Sequence, residues 1–344
     1  MAADMFQSVT IEGFKSIRSI KDFPLRPINI LIGANGSGKS NFLEAFVFLQ
    51  EAQAGRMDFY VSKHGGADRL LHYGSKTTQE IKVALDSPHF RSLVAHYGYV
   101  AGDNLAGNLA GNLAAAILEW SFVNRAAPSF LRYQFHDTGF HSPLKKTNDL
   151  NNNNRFLFPD GSNLASFLFL LKQRYRESYD LIRKTVGLVA PFFEDFHLEP
   201  QALNPETIKL EWKHKRSDRE WDSSELSDGT LRFIALATLF LQPVELRPSV
   251  ILVDEPELGL HPNAIELLYS LIRQASFETQ VIAATQSPML LDCFNPEDIL
   301  VANRVEGATT IERLKPERLA EWLNDYSLGQ LWEKGELEGK PTKE

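Results

Sequence analysis

The sequence predicts an α/β fold: a mixed sheet with a parallel core, flanking helices and an inserted α+β second lobe. Two observations predict this fold. In the last third of the chain, short apolar segments alternate with amphipathic segments of helical spacing. Near the N-terminus, the apolar run PINILIG leads through a glycine-rich turn into a helical pattern after Ser40. Apolar strands that alternate with helices are typical of parallel sheets covered on both faces.

The elements follow in order along the chain. VTIEGFKSI alternates as a strand does, and further strands are predicted at Glu80–Leu85, at ILEWSFV (117–123) and at SFLRYQFHD (129–137). The asparagine run 151–154 indicates an exposed loop tip, and the spacing of Asn163–Val189 is helical. We expect residues 1–85 and 200–344 to form the main lobe and residues 86–199 to form the inserted lobe.

The last third predicts a helix after Gly229, strands at SVILVDE (249–255) and QVIAATQ (280–286), and another strand near Ile299. A helix with proline at its first position is predicted from Pro262. The tail EWLNDYSLGQLWEKG is predicted to be helical and to pack through Trp322, Leu323 and Trp332. Between Ser40 and Leu226 no heptads are sustained, so no long coiled coil is expected.

Composition limits the class of protein. The 344 residues are 43% hydrophobic and 23% charged, which is ordinary for a soluble globular protein. The sequence contains neither an apolar run of about 18 residues nor a secretory signal pattern, so no membrane association is expected. The single cysteine, Cys293, fits a reducing cytosol and predicts a cytoplasmic location.

Net charge is −8, which argues against a nucleic-acid binder that uses its whole surface. Two local basic segments, Lys172–Arg176 (KQRYR) and Lys213–Arg219 (KHKRSDR), are candidates for nucleic-acid contact. A segment of this kind is more often an ordinary solvated face or loop.

Gly33–Ser40 (GANGSGKS) satisfies the phosphate-loop pattern and lies between a predicted strand and a predicted helix. Its glycines let successive N–H groups converge on an anion, and the helix N-terminus adds partial positive charge. Lys39 would reach the β- and γ-phosphates of ATP, and the Ser40 hydroxyl would ligate Mg²⁺. The candidate nucleotide-binding residues here are Asn35, Gly36, Ser37, Gly38, Lys39, Ser40 and Asn41. The alternative is a simple glycine turn with a surface lysine.

Two further segments add chemistry. Asp254 and Glu255 end an apolar strand, at the edge where α/β sheets bind ligands. Asp254 would hold Mg²⁺, and Glu255 would act as the general base that polarises the attacking water. Ser227 and Gly229, in LSDGT, precede an apolar helix and form a candidate anion site. Alternatively, Ser227 only caps its helix.

The segments VTIEGFKSI, LIGANGSGKSN, LSDGTLRF, ILVDEPELGLHP and AATQSP occur in that order. In this respect the chain resembles the RecF-like branch of ABC-type ATPases, which is related to the SMC, Rad and OLD groups and often grouped with AAA-family ATPases. The resemblance covers both ends of the chain and little of its middle. It implies an ABC-type ATPase head, in which residues 1–85 and 200–344 form the ATPase lobe.

The resemblance also implies a mechanism. Two copies would pair head to tail on ATP and Mg²⁺, with Ser227 and Gly229 of one copy closing on the γ-phosphate held by the other. Gln286 stands where a switch histidine is usual, and a neutral amide cannot carry a positive charge. His261 stands at the D-loop aspartate position, where it would act across the dimer or satisfy local backbone groups. Gln79 is a weak candidate for the Q-loop glutamine.

Three functions follow as hypotheses. The first is an ATP-hydrolysing switch in DNA repair or anti-phage defence, which acts with a separate nuclease or other effector subunit. The second is a low-turnover clamp whose ATP-bound dimer presents a surface to a partner. The third, the motor subunit of a membrane transporter, is disfavoured by DEPELGLHP and Gln286.

Overall fold

The computed structural model describes residues 5–87, 92–100, 104–108, 129–151 and 155–337. The chain divides into two compact units: unit 1 comprises Met1–Arg132, Pro248–Leu252 and Thr279–Glu344, and unit 2 comprises Tyr133–Arg247 and Val253–Glu278. These boundaries differ from the predicted lobes 1–85 with 200–344 and 86–199, and the functional division into lobes stays a prediction. The predicted strand 117–123 and the asparagines 152–154 lie outside the described residues.

Unit 1 contains an antiparallel sheet. Its strands are β1 (Ser8–Phe14), β2 (Ile17–Pro24), β4 (Glu80–Asp86), β5 (Leu93–Val100) and β6 (Asn104–Asn108). They are ordered β2-β1-β4-β5-β6, and all neighbouring pairs are antiparallel. Because β5 and β6 extend the sheet that begins with β1, the first boundary of unit 1 falls well beyond residue 85.

The second sheet of unit 1 has the predicted parallel core. Its strands are β3 (Ile28–Ile32), β7 (Phe130–Tyr133), β14 (Val250–Asp254), β15 (Gln280–Ala284), β16 (Ile299–Val305) and β17 (Ala308–Arg313). They are ordered β17-β16-β3-β15-β14-β7, and β3 is parallel to both β15 and β16. Every residue of β3, β14 and β15 is buried, as the continuous apolar runs predict.

The helices of unit 1 are α1 (Lys39–Gln53), α2 (Met57–Lys63), α7 (Pro288–Leu291), α8 (Pro316–Leu319) and α9 (Leu328–Lys334). On α1, Phe42, Phe46 and Phe48 are essentially fully buried in a core shared with β1, β4 and β15. The predicted tail helix is interrupted, because a capping box of Ser327 and Gln330 starts α9 afresh. Trp322 is 46% exposed, so the prediction that it packs inward is wrong.

Unit 2 combines short strands with longer helices. Its strands are β8 (Asn148–Asp149), β9 (Phe193–His197), β10 (Pro200–Gln201), β11 (Asn204–Ile208), β12 (Glu211–His214) and β13 (Glu220–Asp222). They form two three-stranded sheets, β10-β11-β8 and β13-β12-β9. Its helices are α3 (Leu164–Arg174), α4 (Arg176–Val189), α5 (Asp228–Leu241) and α6 (Pro262–Ala275).

The packing of α5 explains why the segment around Ser227 belongs to unit 2. All residues from Thr230 to Leu241 are buried, and α5 packs against both α4 and α6. The predicted helical stretch Asn163–Val189 is two helices separated at Tyr175. Within the described residues the longest helix, α1, has 15 residues, which agrees with the expected lack of a long coiled coil. In that same part of the chain, no helix is both long and apolar enough to cross a membrane.

Candidate functional site

The predicted phosphate loop, Gly33–Ser40, lies between β3 and α1, where the pattern places it. Gly38 precedes α1 with a φ of 104°, a left-handed conformation that favours glycine. A Cβ atom at Gly38 would also overlap the side chain of Thr309, whereas Gly36 has open space around it. Glycine is therefore required at Gly38 by both conformation and packing.

Lys39 is the first residue of α1 and is only 7% exposed. Its Nζ donates to the carbonyl oxygens of Gly33 at 2.6 Å and Ala34 at 3.1 Å. The side chain therefore bends back over the loop that precedes it and holds a cationic group beside the loop backbone. Phosphate oxygens accept stronger, charge-assisted hydrogen bonds from an ammonium than neutral carbonyls do, so a bound phosphate would displace these partners.

A chain of hydrogen bonds links the loop to two residues outside it, Ser16 and Thr309. The Asn41 amide donates to Ser16 Oγ at 2.7 Å, and Ser16 Oγ lies 2.7 Å from Thr309 Oγ1. Thr309 Oγ1 in turn donates to the Ser37 carbonyl at 2.8 Å. Asn41, a predicted nucleotide contact, thus supports the loop through its side chain. Within the loop, Asn35, Gly36 and Ser40 are exposed, whereas Ser37 is buried.

Gln286 lies beside the phosphate loop. Its amide Nε2 donates to Asn35 Oδ1 at 3.0 Å, and Arg304 Nη1 donates to the Gly36 carbonyl at 3.4 Å. The structure therefore brings the predicted switch position next to the loop. It also brings a cation, Arg304, that the sequence did not single out, because Arg304 is 268 residues away from Gly36 along the chain.

A cavity of about 310 Å³ adjoins the loop in unit 1. Its wall includes Lys15, Ser16, Asn41, Arg69, His72 and Arg304. Ser16 and Asn41 belong to the hydrogen-bonded chain described above, so the cavity adjoins residues that support the loop. Lys15, Arg69 and Arg304 make the wall cationic, which suits an anionic ligand.

Lys15 is influenced electrostatically by a partly buried ionic cluster centred on Glu44 of α1. Glu44 accepts hydrogen bonds from Tyr60 and Arg132 at 2.8 Å each. Burial lowers the pKa of Lys15, and the negative charge of Glu44 opposes that shift. Burial acts to raise the pKa of Glu44, but Lys15, Tyr60, Arg132 and His64 together hold it below its usual range. The cluster therefore keeps Glu44 ionised.

In unit 2, Asp254 and Glu255 form an acidic turn at the end of β14. Asp254 is 8% exposed, and its Oδ2 accepts a hydrogen bond from the Gln134 amide at 3.4 Å. His136 Nε2 lies 2.8 Å from the Asp254 backbone oxygen. Glu255 has a φ of 44°, a left-handed conformation that costs a non-glycine residue about 1–2 kcal/mol. The turn is therefore sharp, and Asp254 is held by Gln134 at its carboxylate and by His136 at its backbone oxygen.

Gln134 is the residue that the sequence missed. It directly follows β7, is exposed and contacts a carboxylate 120 positions away. Gln79, the weak sequence candidate, is also exposed and donates its amide to the backbone oxygen of Ser75. The sequence placed Gln134 inside the predicted strand 129–137, whereas the observed strand β7 ends at Tyr133, so no local signal marked Gln134 as a site residue.

Ser227 caps α5, as one of the two sequence hypotheses states. Its Oγ accepts the Thr230 N–H at 3.2 Å and lies 2.8 Å from Thr230 Oγ1. Ser227 is nevertheless exposed, so the helix N-terminus remains accessible to an anion. A Cβ atom at Gly229 would lie 2.5 Å from the Gly259 oxygen, so only glycine fits between α5 and the segment after Glu255.

Arg232 joins three segments of unit 2. It is 5% exposed, and its guanidinium donates to the backbone oxygens of Phe135, His136 and Leu258. Burial lowers the pKa of Arg232, although the Asp228 carboxylate opposes that shift. Arg232 therefore ties α5 to the strand end that carries Gln134 and to the segment after Glu255.

His261 precedes α6 and is exposed. Its Nδ1 accepts the Asn263 N–H at 3.4 Å, so it satisfies a backbone donor at the start of the helix.

The two basic segments are paired with acidic side chains. In the first basic segment, Arg176 pairs with Asp180 at 3.0 Å. In the second, Arg219 stacks 4.6 Å above the Trp221 ring and pairs with Glu225 at 2.9 Å.

Two family models match the chain. Residues 5–179 match the family described as "AAA ATPase domain", which is about half of the chain. This chain belongs to the AAA ATPase domain family. Residues 107–292 of this ATPase domain also match the family described as "AAA domain, putative AbiEii toxin, Type IV TA system". Membership implies nucleotide binding.

Relatives of this ATPase domain include two curated proteins. The chain is 23% identical over 363 residues to the OLD nuclease of Thermus scotoductus, with 92% of this chain and 63% of the relative covered. It is 28% identical over 109 residues to the ATP/GTP phosphatase of Helicobacter pylori, with 29% and 30% covered. The chain thus spans less than two-thirds of the length of these curated relatives.

Solved SMC heads share the fold. The crystal structure of the SmcHead bound to the C-winged helix domain of ScpA has a TM-score of 0.60 at 16% identity and covers 92% of this chain and 99% of that one. A second match is the Smc head domain from Pyrococcus furiosus, which has an extended coiled coil and is bound to the C-terminal domain of ScpA. Its TM-score is 0.57 at 16% identity, and the match covers 93% of this chain and 99% of that one. Taken together with the two AAA family models and the match to an OLD nuclease, this shared fold confirms the predicted relationship to RecF- and SMC-related ABC-type ATPases.

Proposed function

We propose that this ATPase domain binds and hydrolyses ATP, and that two copies close head to tail around two nucleotides. The observation that carries the proposal is the phosphate loop, where the buried ammonium group of Lys39 donates hydrogen bonds to the loop backbone. Exposed Asn35, Gly36 and Ser40 leave the loop accessible. The N–H groups of the loop and of the first turn of α1 would bind the β- and γ-phosphates.

Hydrolysis would use the acidic turn. Mg²⁺, when bound, neutralises phosphate charge, and the Ser40 hydroxyl and Asp254 carboxylate are the hard oxygen donors that it prefers. Gln134 would orient the Asp254 carboxylate through its amide and offer its own carbonyl oxygen to the attacking water or the metal. Glu255 would accept a hydrogen bond from that water and polarise it towards the γ-phosphate.

The trans arrangement is proposed from the accessible N-terminus of α5. Ser227 and Gly229 would approach the γ-phosphate of the partner copy, with the positive end of the α5 dipole adding attraction. The Ser227 hydroxyl accepts the Thr230 N–H and also contacts Thr230 Oγ1. When the Thr230 hydroxyl is the donor in that second contact, the Ser227 O–H is left to donate to a phosphate oxygen. SMC heads, which share the fold, lend this arrangement support by analogy only.

A low-turnover clamp is the second candidate, and Gln286 favours it. Its neutral amide hydrogen-bonds Asn35 at the edge of the loop. A donor of this kind can sense a γ-phosphate but cannot neutralise developing charge in the transition state. Such a site would bind ATP and dimerise while turning over slowly.

DNA-associated work in repair or anti-phage defence, together with a separate nuclease or effector, is the proposed biological setting. Two features support it: the match to an OLD nuclease, and the segment Lys213–Arg219, where Arg219 stacks on Trp221. Basic groups beside aromatic rings suit single-stranded nucleic acid. The lone Cys293 supports a cytoplasmic location.

The proposed ATP site is tested by nucleotide binding to the Lys39→Ala variant. Loss of the loop cation should weaken ATP binding at least 100-fold, because charge-assisted hydrogen bonds to the phosphates are lost. Lys63→Ala, at an exposed lysine that ends α2, is the matched control and should bind as the wild type does. Equal ATP affinity in Lys39→Ala and wild type would reject the phosphate-loop assignment.

A further inference from the structure

The wall of the cavity beside the phosphate loop includes an exposed tyrosine that the proposed mechanism does not use. Tyr73 lines the cavity and is 57% exposed. Its backbone has a φ of 55°, a left-handed conformation that is rare for a bulky side chain and that glycine or asparagine adopts more readily. Strained residues of this kind are concentrated at ligand and active sites, so Tyr73 is a candidate for ligand contact.

Contacts on three sides hold Tyr73 in place. The preceding residue, His72, donates its backbone N–H to the Gly13 oxygen at 3.0 Å. The ring of Tyr73 packs against the ring of His72, with centroids 4.6 Å apart. The Tyr73 hydroxyl donates to the Gly307 oxygen at 3.1 Å. The ring is therefore fixed at its hydroxyl and against His72, while more than half of the residue stays accessible.

The turn between β16 and β17 connects Tyr73 to the phosphate loop. Gly307 in this turn accepts the Tyr73 hydroxyl, and a Cβ atom at Gly307 would overlap that hydroxyl. Arg304, near the end of β16, donates to the Gly36 carbonyl of the loop at 3.4 Å. Asn41, which directly follows the loop, also lines the cavity. One short turn therefore contacts both the tyrosine and the loop, and the cavity lies beside the proposed phosphate site.

The chemistry of a cavity ligand follows from the wall. Arg69 and Arg304 are exposed and line the cavity, and none of the described residues that line it is acidic. Guanidinium groups favour phosphate oxygens, whereas an accessible tyrosine ring offers a face on which a planar base can stack. At about 310 Å³, the cavity falls at the lower end of the range for small-molecule sites, about 300–1,000 Å³. A ligand that carries both phosphates and an aromatic base fits this wall.

We propose that Tyr73 stacks on the base of the nucleotide whose phosphates bind at the adjoining loop. This inference rests on the proposed ATP site and adds the residue that recognises the nucleoside half of the ligand. Because every base has a π-face, the ring distinguishes a nucleotide from a bare polyphosphate and does not select one base over another. The strained backbone of Tyr73 then serves to present the ring at the cavity.

The test compares wild type with Tyr73→Asn. Asparagine removes the ring and tolerates the left-handed conformation. Dissociation constants are measured for ATP, for GTP and for inorganic tripolyphosphate, each with Mg²⁺. Loss of stacking should weaken the binding of ATP and of GTP about tenfold. Tripolyphosphate has no base, so its affinity should be the same in the variant and in wild type.

Three further variants make the result decisive. Tyr73→Phe keeps the ring and should retain most of the affinity for ATP. Tyr73→Gly removes the ring together with the strain, and it repeats the comparison if Tyr73→Asn does not fold. Phe59→Asn removes a 69% exposed ring on α2 that does not line the cavity, and it should match wild type for all three ligands. The thermal midpoint of each variant reports whether it folds.

Equal ATP affinity in Tyr73→Asn and wild type would overturn the assignment. An equal loss of ATP and tripolyphosphate would also overturn it, because the ring would then only support the phosphate loop. Failure of the ATP site itself is distinguished by Lys39→Ala, which would then bind all three ligands as tightly as wild type does. If Lys39→Ala loses binding while Tyr73→Asn behaves as wild type, only the role of Tyr73 is rejected.

Discussion

The Gln134 side-chain amide donates a hydrogen bond to the Asp254 carboxylate, with 3.4 Å between Nε2 and Oδ2. Asp254 is nearly buried, whereas Gln134 is exposed. The pair therefore couples a proposed metal-binding carboxylate to a solvent-exposed side chain. Outer-shell partners of this kind orient a metal ligand and tune its basicity.

Replacement of Gln134 by Leu should lower the ATP turnover number about 10- to 100-fold, because the Asp254 carboxylate loses its orienting partner. Steady-state phosphate release measures the effect. Gln79→Leu is the matched control, since its amide bonds the nearby Ser75 oxygen, and it should turn over as wild type does. A larger loss in Gln79→Leu than in Gln134→Leu would reverse the assignment.

Replacement of Glu255 by Gln should reduce turnover about 100-fold or more, because a neutral amide cannot polarise the attacking water. ATP binding should persist, so an ATP-bound dimer should accumulate and be visible by analytical ultracentrifugation. Glu266→Gln, at an exposed position on α6, is the control. A wild-type rate already equal to that of Glu255→Gln would instead favour the low-turnover clamp.

Replacement of Ser227 by Arg should prevent ATP-dependent dimerisation while monomers still bind ATP, because a bulky cation would block the approach of α5 to the partner copy. Ser227→Ala separates the capping role. It should cost about 1 kcal/mol of unfolding free energy through loss of the Thr230 contact. If Ser227→Arg dimerises normally on ATP, the trans role of Ser227 is excluded.

Replacement of Gly229 by Ala should destabilise the fold by about 1–3 kcal/mol. A helix normally gains stability from such a change, but the new Cβ would lie 2.5 Å from the Gly259 oxygen. Gly187→Ala on α4 is the control, since nothing lies within 4 Å of its Cβ position, and it should stabilise by about 0.5–1 kcal/mol. Urea denaturation measures the change in unfolding free energy of both variants. If both variants were stabilised or both destabilised, the packing described at Gly229 would be contradicted.

Local pattern was sufficient for the contiguous parts of the site. The phosphate loop and the Asp254–Glu255 turn each depend on a strand, a turn and the residues between them, all of which are neighbours in the sequence. The apolar runs of β3, β14 and β15 predicted buried strands, because a strand covered on both faces must be apolar throughout. The helix cap at Ser227, which the residues themselves allowed as an alternative, is present in the structure, whereas the trans role that the resemblance implies stays a proposal.

Contacts between distant residues required the tertiary structure. Gln134 meets Asp254 across 120 positions, and Ser16 meets Thr309 across 293. No periodicity or spacing encodes such pairs, because they depend on which strands become neighbours. The same holds for His72, whose ring Nδ1 meets the Lys15 backbone oxygen across 57 positions.

The sequence by itself determined the glycine-rich loop between strand and helix, the parallel core and the family relationship, because each depends on consecutive residues whose conformation follows from local sterics and burial. Only the tertiary structure decided which glutamine supports the acidic turn, which glycine cannot accept a Cβ atom, and where the two compact units divide. Those features depend on the distances between segments that folding brings together, and chain order alone does not specify them.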